Sequence, residues 1–410
     1  MLSKKDKRTK YNKNKKKRNN IKTKTKIKNR KYTKLRGGSR PKLSTIPEEV
    51  NGDLNKGYTY IATLGTGEAG NNNNQFNTPS DVAISFNGKF IYIADTMNGR
   101  VQVFVYDGSK YEYDHMIGNG KYNQPRGVAV PSVSEDNFVY VADTNNNVIE
   151  IYKDEHDIKP KIPNTIEIPK KNKKNKKTNN TNKLINIHID TIGPQVNLYA
   201  PLGVAVSSDN NRIYVVSRNN CVQIFDGDDY KYMSTLGENY FIKDKDKKNV
   251  LKGLVFENYQ RGDYAFICPA KVAISTYDNR IYVADTYNHR VQIFDAKLGN
   301  YTFKGTLGTT SKIGYDNTHF NHPCGVAISP VDNRIYVADT NNHRIQIFNG
   351  KTLEYISTLG QSTVSFSDNT HFNCPYSVAV SPTDNRIYVA DTNNHRIQIF
   401  ESQTKDTLLQ

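Results

Sequence analysis

Apolar residues in this chain fall into short runs that recur in a fixed order. The stretch Ile387-Tyr-Val-Ala-Asp-Thr-Asn-Asn-His-Arg-Ile-Gln-Ile-Phe400 sets the pattern. Its first four residues are apolar, the next five are turn formers, and Arg-Ile-Gln-Ile-Phe alternates with a period of two, which together predict a β-hairpin. Nearly the same words stand at residues 335–348 and 281–294, with looser copies at 91–104, 139–152 and 213–225. Ahead of each hairpin a short apolar strand follows a proline: Pro79, Pro125, Pro201, Pro269, Pro323 and Pro375. A fourth strand ends in Leu-Gly or Ile-Gly at Gly65, Gly118, Gly193, Gly237, Gly308 and Gly360. Four strands make one antiparallel blade, and a unit that recurs about every 50 residues predicts a propeller.

The order of the pieces predicts how the ring closes. The repeats begin with a fourth strand, Tyr58 to Gly65, and end with a third, Arg396 to Phe400. Pairing these two completes the last blade and leaves no open edge. The expected fold is all-β, a six-bladed β-propeller over residues 53–403. A disordered Lys/Arg-rich tail, residues 1–52, precedes it, and a short tail, 404–410, follows. Insertions are expected at 154–186 and 238–265.

The pattern Pro-x-Gly-Val-Ala-Val, then Ile-Tyr-Val-Ala-Asp-Thr-x-Asn-His-Arg-Ile-Gln-Ile-Phe, resembles the NHL repeat over residues 58 to 400. The resemblance implies a six-bladed NHL propeller, a fold used by tripartite-motif ubiquitin ligases, RNA-binding regulators, an amidating lyase and bacterial sensor domains. It implies the fold more narrowly than the function.

Charge changes the picture by separating tail from ring. Residues 1–42 hold twenty Lys or Arg against one acid, Asp6, while the whole chain is +17, so the remainder is slightly acidic. That weighs against blades that grip RNA by themselves. A second basic run, Lys170 to Lys183, has seven lysines and no acid. Lys13, Lys15, Lys16, Lys17 and Arg18 in the tail, with Lys170, Lys171, Lys173, Lys174, Lys176 and Lys177, are the candidate contacts to nucleic acid or another polyanion. The tail and the Lys-rich insertion both lead into a fourth strand, so both are expected on one face. The insertion at 238–265, with its apolar Val250-Leu-Lys-Gly-Leu-Val-Phe256, belongs to the other. The Lys and Asn enrichment resembles the proteins of giant viruses or protists with AT-rich genomes. With no signal-peptide core and no apolar span, an intracellular monomer without membrane contact is expected, in cytoplasm, nucleus or virion.

Candidate chemistry is sparse. Asp95, Asp143, Asp285, Asp339 and Asp391 recur where the second strand enters its turn, facing Arg100, Arg290, Arg344 and Arg396. A carboxylate repeated in nearly every blade reads as a structural turn residue that accepts backbone N–H groups, not as a catalyst. Blades 2 and 3 depart, with Val148 in one and Ser217 and Cys221 in the other. The residue before each first-strand proline is expected near the central channel. Three consecutive blades place Cys268, His322 and Cys374 there, with Cys324 nearby, a donor set of zinc type whose other reading is buried free thiols. His319 and His371 stand in matching Thr-His-Phe-Asn words, and the resemblance to the lyase implies zinc-binding histidines from several blades. Ala265 breaks that match in blade 4. No Cys/His array of RING type lies between residue 1 and Tyr58, which leaves a ligase resemblance only a substrate-recruiting role. Leu35-Arg-Gly-Gly38-Ser39 resembles the sites cut by adenain-type maturation proteases. Cleavage between Gly38 and Ser39 would shed most of the basic charge, as suits a virion protein. The expected function is a non-enzymatic scaffold without cofactors, binding a protein through a propeller face and a polyanion through the tail. The alternatives are a metal-dependent lyase or hydrolase at the channel mouth and a substrate-recruiting adaptor of a ubiquitin ligase.

Overall fold

The computed structural model describes residues 57–131, 138–154, 186–193, 196–207, 211–237, 265–296 and 301–403. All the described residues lie within 51–410, which cluster as one compact unit. Among them β1 (Tyr58–Leu64) comes first. Blade 1 is β2 (Pro79–Ile84), β3 (Phe90–Asp95), β4 (Arg100–Tyr106) and β5 (Tyr111–Ile117). Blade 2 is β6 (Pro125–Ala129), β7 (Phe138–Asp143), β8 (Val148–Asp154) and β9 (Asn186–Ile192). Blade 3 is β10 (Pro201–Ser207), β11 (Arg212–Ser217), β12 (Cys221–Asp226) and β13 (Tyr232–Leu236). Blade 4 is β14 (Lys271–Ile274), β15 (Arg280–Asp285), β16 (Arg290–Asp295) and β17 (Thr302–Leu307). Blade 5 is β18 (Pro323–Ile328), β19 (Arg334–Asp339), β20 (Arg344–Asn349) and β21 (Tyr355–Leu359). Blade 6 is β22 (Pro375–Val380), β23 (Ile387–Asp391) and β24 (Arg396–Ser402), completed by β1.

The expected closure is observed. β1 pairs antiparallel with β24 from Tyr58 opposite Ser402 to Leu64 opposite Ile397, so the third strand runs two residues past Phe400. Five first strands start on their proline. In blade 4 the ladder starts at Lys271, opposite Ala284.

Second strands such as Ile335-Tyr-Val-Ala338 are apolar throughout because both faces of each blade are covered by neighbouring blades. The core is accordingly divided into six clusters, each drawing on two adjacent blades. Between blades 5 and 6, Tyr336, Ala338, Ile345, Ile347 and Leu359 meet Phe372, Val378, Ile387, Val389 and Phe400. Each of the Ile, Leu, Val and Phe side chains among them contributes about 1.5–3 kcal/mol by leaving water. Phe76, Phe266, Phe320 and Phe372 are buried beneath the glycine that ends a fourth strand. At Gly308, φ is +84° and an added Cβ would stand 2.5 Å from the Phe320 ring. Only glycine fits there.

Connections alternate between the two faces of the disc. One face carries the turns between second and third strands and the starts of the first strands; it is called the turn face below. The opposite face carries the turns between first and second strands, the start of β1 at Tyr58 and the end of β8 at Asp154. The points where the tail and the Lys-rich insertion join the ring therefore share a face, as the chain order predicts.

A chain beginning at Thr66 lacks β1 and leaves the β24 edge unpaired. It should aggregate or lose its single sharp thermal transition. Calorimetry showing an intact, cooperative melt would contradict this account of closure.

Candidate functional site

The repeated aspartate is a buried junction. In blades 1, 4, 5 and 6, Oδ1 of Asp95, Asp285, Asp339 and Asp391 accepts the backbone N–H of Asn77, Ile267, Asn321 and Asn373 at 2.6–2.7 Å. Oδ2 accepts Nε of Arg100, Arg290, Arg344 and Arg396 at 2.7–2.8 Å. An asparagine of the intervening turn adds a further bond to Oδ2, from Asn342 at 2.8 Å in blade 5. The arginine then reaches on to the loop ahead of the first strand, where Arg344 donates to the carbonyls of Tyr315 and Asp316 at 2.6 and 2.7 Å. Burial pushes the Asp339 carboxyl above its ordinary range, while the Arg344 charge and the bonds from Asn321 and Asn342 draw it back. Asp143 keeps the bonds from Asn123 and Asn146, both at 2.7 Å, but faces Val148. Ser217 and Cys221 replace the pair in blade 3, 4.0 Å apart.

A second recurring contact latches each blade to the next. The residue after the turn adopts a left-handed backbone: Gly99, Asn147, Asn220, His289, His343 or His395. In five blades its side chain accepts the N–H of the residue before the next first-strand proline. Asn147 and Asn220 use Oδ1 toward Ala200 and Cys268, both at 2.8 Å. His289, His343 and His395 use Nδ1 toward His322, Cys374 and Thr78 at 3.0–3.1 Å. These rings carry their proton on Nε2. Burial holds His343 below the ordinary histidine range.

At the axis the structure shows what the repeats conceal. Asp81, in blade 1, forms a buried ion pair with Lys271 of blade 4, directly across the ring. Asp81 also accepts Ser377 Oγ at 2.6 Å and the N–H groups of Val82 and Val128, both at 2.9 Å. Blades 2, 3 and 5 have Gly127, Gly203 and Gly325 at this position, where the strands approach so closely that a Cβ on Gly325 would lie 2.8 Å from the Ser377 backbone. The signal was present in the sequence, in the second residue after each proline, but only when the six first strands are compared as one column.

The repeated Asp and Arg side chains come together as expected wherever both are present. Cys268, His322 and Cys374 all adopt left-handed backbones and donate their N–H groups to the latches. Among the described residues no three His, Cys, Asp or Glu side chains gather in a way that would hold a metal ion. Burial pushes the thiols of Cys268 and Cys374 up, and that of Cys324 up to about 11. His319 and His371 instead pair with Asp316 and Asp368, each at 2.8 Å. Lys13, Lys15, Lys16, Lys17, Arg18, Gly38 and Ser39, the lysines of 170–183 and the apolar run 250–256 lie outside the described residues.

Large apolar side chains remain exposed on the turn face, namely Met97, Tyr199, Tyr287, Ile313, Tyr315 and Phe366. Four of them, Tyr287, Ile313, Tyr315 and Phe366, belong to blades 4 to 6 and the loops joining them. Among the described residues no helix is long and apolar enough to cross a membrane.

Four segments, residues 76–104, 266–294, 320–348 and 372–400, match the NHL repeat. They fall in the four blades that hold a complete Asp–Arg junction. The chain is 23% identical to bovine (Bos taurus) NHL repeat-containing protein 2 over 360 residues, covering 80% of this chain and 47% of that protein. It therefore spans less than half the length of that relative. It is 30% identical to mouse (Mus musculus) peptidyl-glycine alpha-amidating monooxygenase over 218 residues, covering 50% of this chain and 21% of that protein. A crystal structure of a structural genomics protein of unknown function from Bacteroides thetaiotaomicron superposes with a TM-score of 0.56 at 14% identity, over 84% of this chain and 75% of that one. That likeness concerns the fold.

Asp339→Ser removes the partner of a buried guanidinium and should cost about 3–5 kcal/mol. Adding Arg344→Cys, which reproduces the blade 3 arrangement, should cost less than the two single changes summed. Denaturant melts of all three variants test this. The His343 latch carries a pH signature. Its folded pKa lies under the unfolded one, so its contribution is complete above about pH 6.5 and is lost as pH falls from there through the folded value. Tm should fall between about pH 7.5 and pH 5.5, and less so in H343N, because asparagine already serves this latch in blades 2 and 3.

Proposed function

We propose that this NHL-repeat propeller is a non-enzymatic, monomeric scaffold that docks a protein partner on its turn face and holds a polyanion through its lysine runs. The observation that carries the reading is the exposed apolar set on blades 4 to 6 of the turn face. Aromatic side chains raised on a rigid frame suit protein docking, since little ordering entropy is lost when they are covered. The Asp–Arg junctions beneath keep those loops in place. The lysine runs join the ring on the opposite face, at Tyr58 and Asp154, so both partners can be held at once. Lysine runs without aromatic platforms favour nucleic acid or a similar polyanion bound through its charge, without sequence preference.

The similarity to the amidating monooxygenases supports a second reading, a metal-dependent lyase or hydrolase at the channel mouth. The described donor residues do not gather for it. Zinc analysis of the purified chain separates the two, one equivalent of tightly held metal favouring the enzyme.

In a pull-down with nuclease controls, the triple variant Tyr287→Ser, Tyr315→Ser, Phe366→Ser should release a protein that the parent chain retains. Nucleic-acid binding should weaken by about a thousandfold or more between about 50 and about 200 mM salt and should be poor in residues 53–410, which keep only the shorter lysine run 170–183. Undiminished binding by that shortened chain would move the contact to the blades.

A further inference from the structure

The residues lining the axis are the ones that do not repeat. The residue after the first-strand proline is Ser80, Arg126, Leu202, Ala270, Cys324 or Tyr376 in the six blades, while the hairpins behind them are nearly identical. In a ring built from copies, chemistry specific to one ligand belongs where the copies differ. Two arginines stand at this level on the turn face, and neither has a structural task of the repeated kind.

Arg126 is partly buried, and its Nε is enclosed without a hydrogen-bond partner. A guanidinium donor withheld from water and left unmade is costly. Arg218 occupies the place that threonine holds in the other five blades. There the threonine hydroxyl donates to the carbonyl of the next blade's proline, as Thr340 does to Pro375 at 2.9 Å. In blade 3 that bond is replaced by an exposed arginine. Tyr376 holds the same position in blade 6 as Arg126 in blade 2. Burial pushes its phenol up, while the positive charges of Arg126 and Arg218 draw it back, so it keeps its proton.

We propose that Arg126, Arg218 and Tyr376 form a binding site for a small oxyanion, a carboxylate or phosphate group, at the turn-face mouth of the central channel. Among the described residues no carboxylate pairs with either arginine. The acid at the axis, Asp81, is neutralised by Lys271 and occupied by three further donors. The thiol of Cys324 beside Tyr376 stays protonated, which adds no opposing charge. Two forked guanidinium groups offer donors only and the Tyr376 phenol adds one O–H donor, the complement of a planar or tetrahedral oxyanion. One residue further along the first strands, the Asp81–Lys271 pair and the close approach of strands at Gly127, Gly203 and Gly325 crowd the axis. The proposal does not depend on a protein docking on the turn face.

Isothermal titration of the full chain with inorganic phosphate and, separately, with succinate tests it. One saturable site per chain is expected for at least one of them, and the preferred ion distinguishes a phosphate from a carboxylate ligand. Arg126→Gln and Arg218→Gln should each weaken that binding about tenfold, and the double variant should remove it while the thermal melt stays within a few degrees of the parent. Tyr376→Phe should weaken it less. Lysine-tail binding persists in all variants and so subtracts out. Saturable binding that survives the double variant, or no saturable binding of either ion, overturns the proposal.

Discussion

A carboxylate and a guanidinium buried against each other at the mouth of a hairpin hold this ring in register. Such a pair is close to break-even against an apolar substitute, because desolvation of two charges offsets most of their attraction. Its value lies in what it fixes. One aspartate oxygen is spent on the loop arriving from the previous blade and the other on the arginine, and the arginine in turn grips the carbonyls of that same loop. Strand, turn and incoming loop are thereby joined through one carboxylate, and the next blade can start only in the right place.

The four blades that keep this junction are the ones that match the NHL repeat, and the two that lack it stand side by side. Blade 2 gives up its arginine to Val148, and it is the blade interrupted between β8 and β9. Blade 3 gives up both partners and places Arg218 at the turn. Where the packing rule is relaxed, residues become free to serve a ligand instead of the ring.

How much of this was legible in the sequence depended on repetition. The blades, the closure by Tyr58 to Leu64 and the pairing of Asp339 with Arg344 could be read because each is written several times or required by the count of strands. Asp81 and Lys271 could not, since each occurs once and the ion pair exists only when opposite blades face each other across a closed ring. The alignment of Cys268, His322 and Cys374 was real but misleading for metal chemistry. A left-handed backbone at each position turns the main-chain N–H toward the neighbouring latch, and the three side chains do not converge. The latches themselves hide behind a change of residue type, because histidine Nδ1 and asparagine Oδ1 are interchangeable acceptors that look unrelated as letters.

The closing strand also sets a clock. Thr59 and Gln403, hydrogen-bonded in the finished ring, are 344 residues apart. At ~5–20 residues per second, β1 leaves the ribosome about twenty seconds to a minute before its partner exists. Through that interval five blades can assemble while both ends of the arc present unpaired edges, and the last event is a loop closure spanning nearly the whole chain. The seam that makes the mature ring edgeless thus makes the nascent one dependent on staying soluble until its final strand arrives.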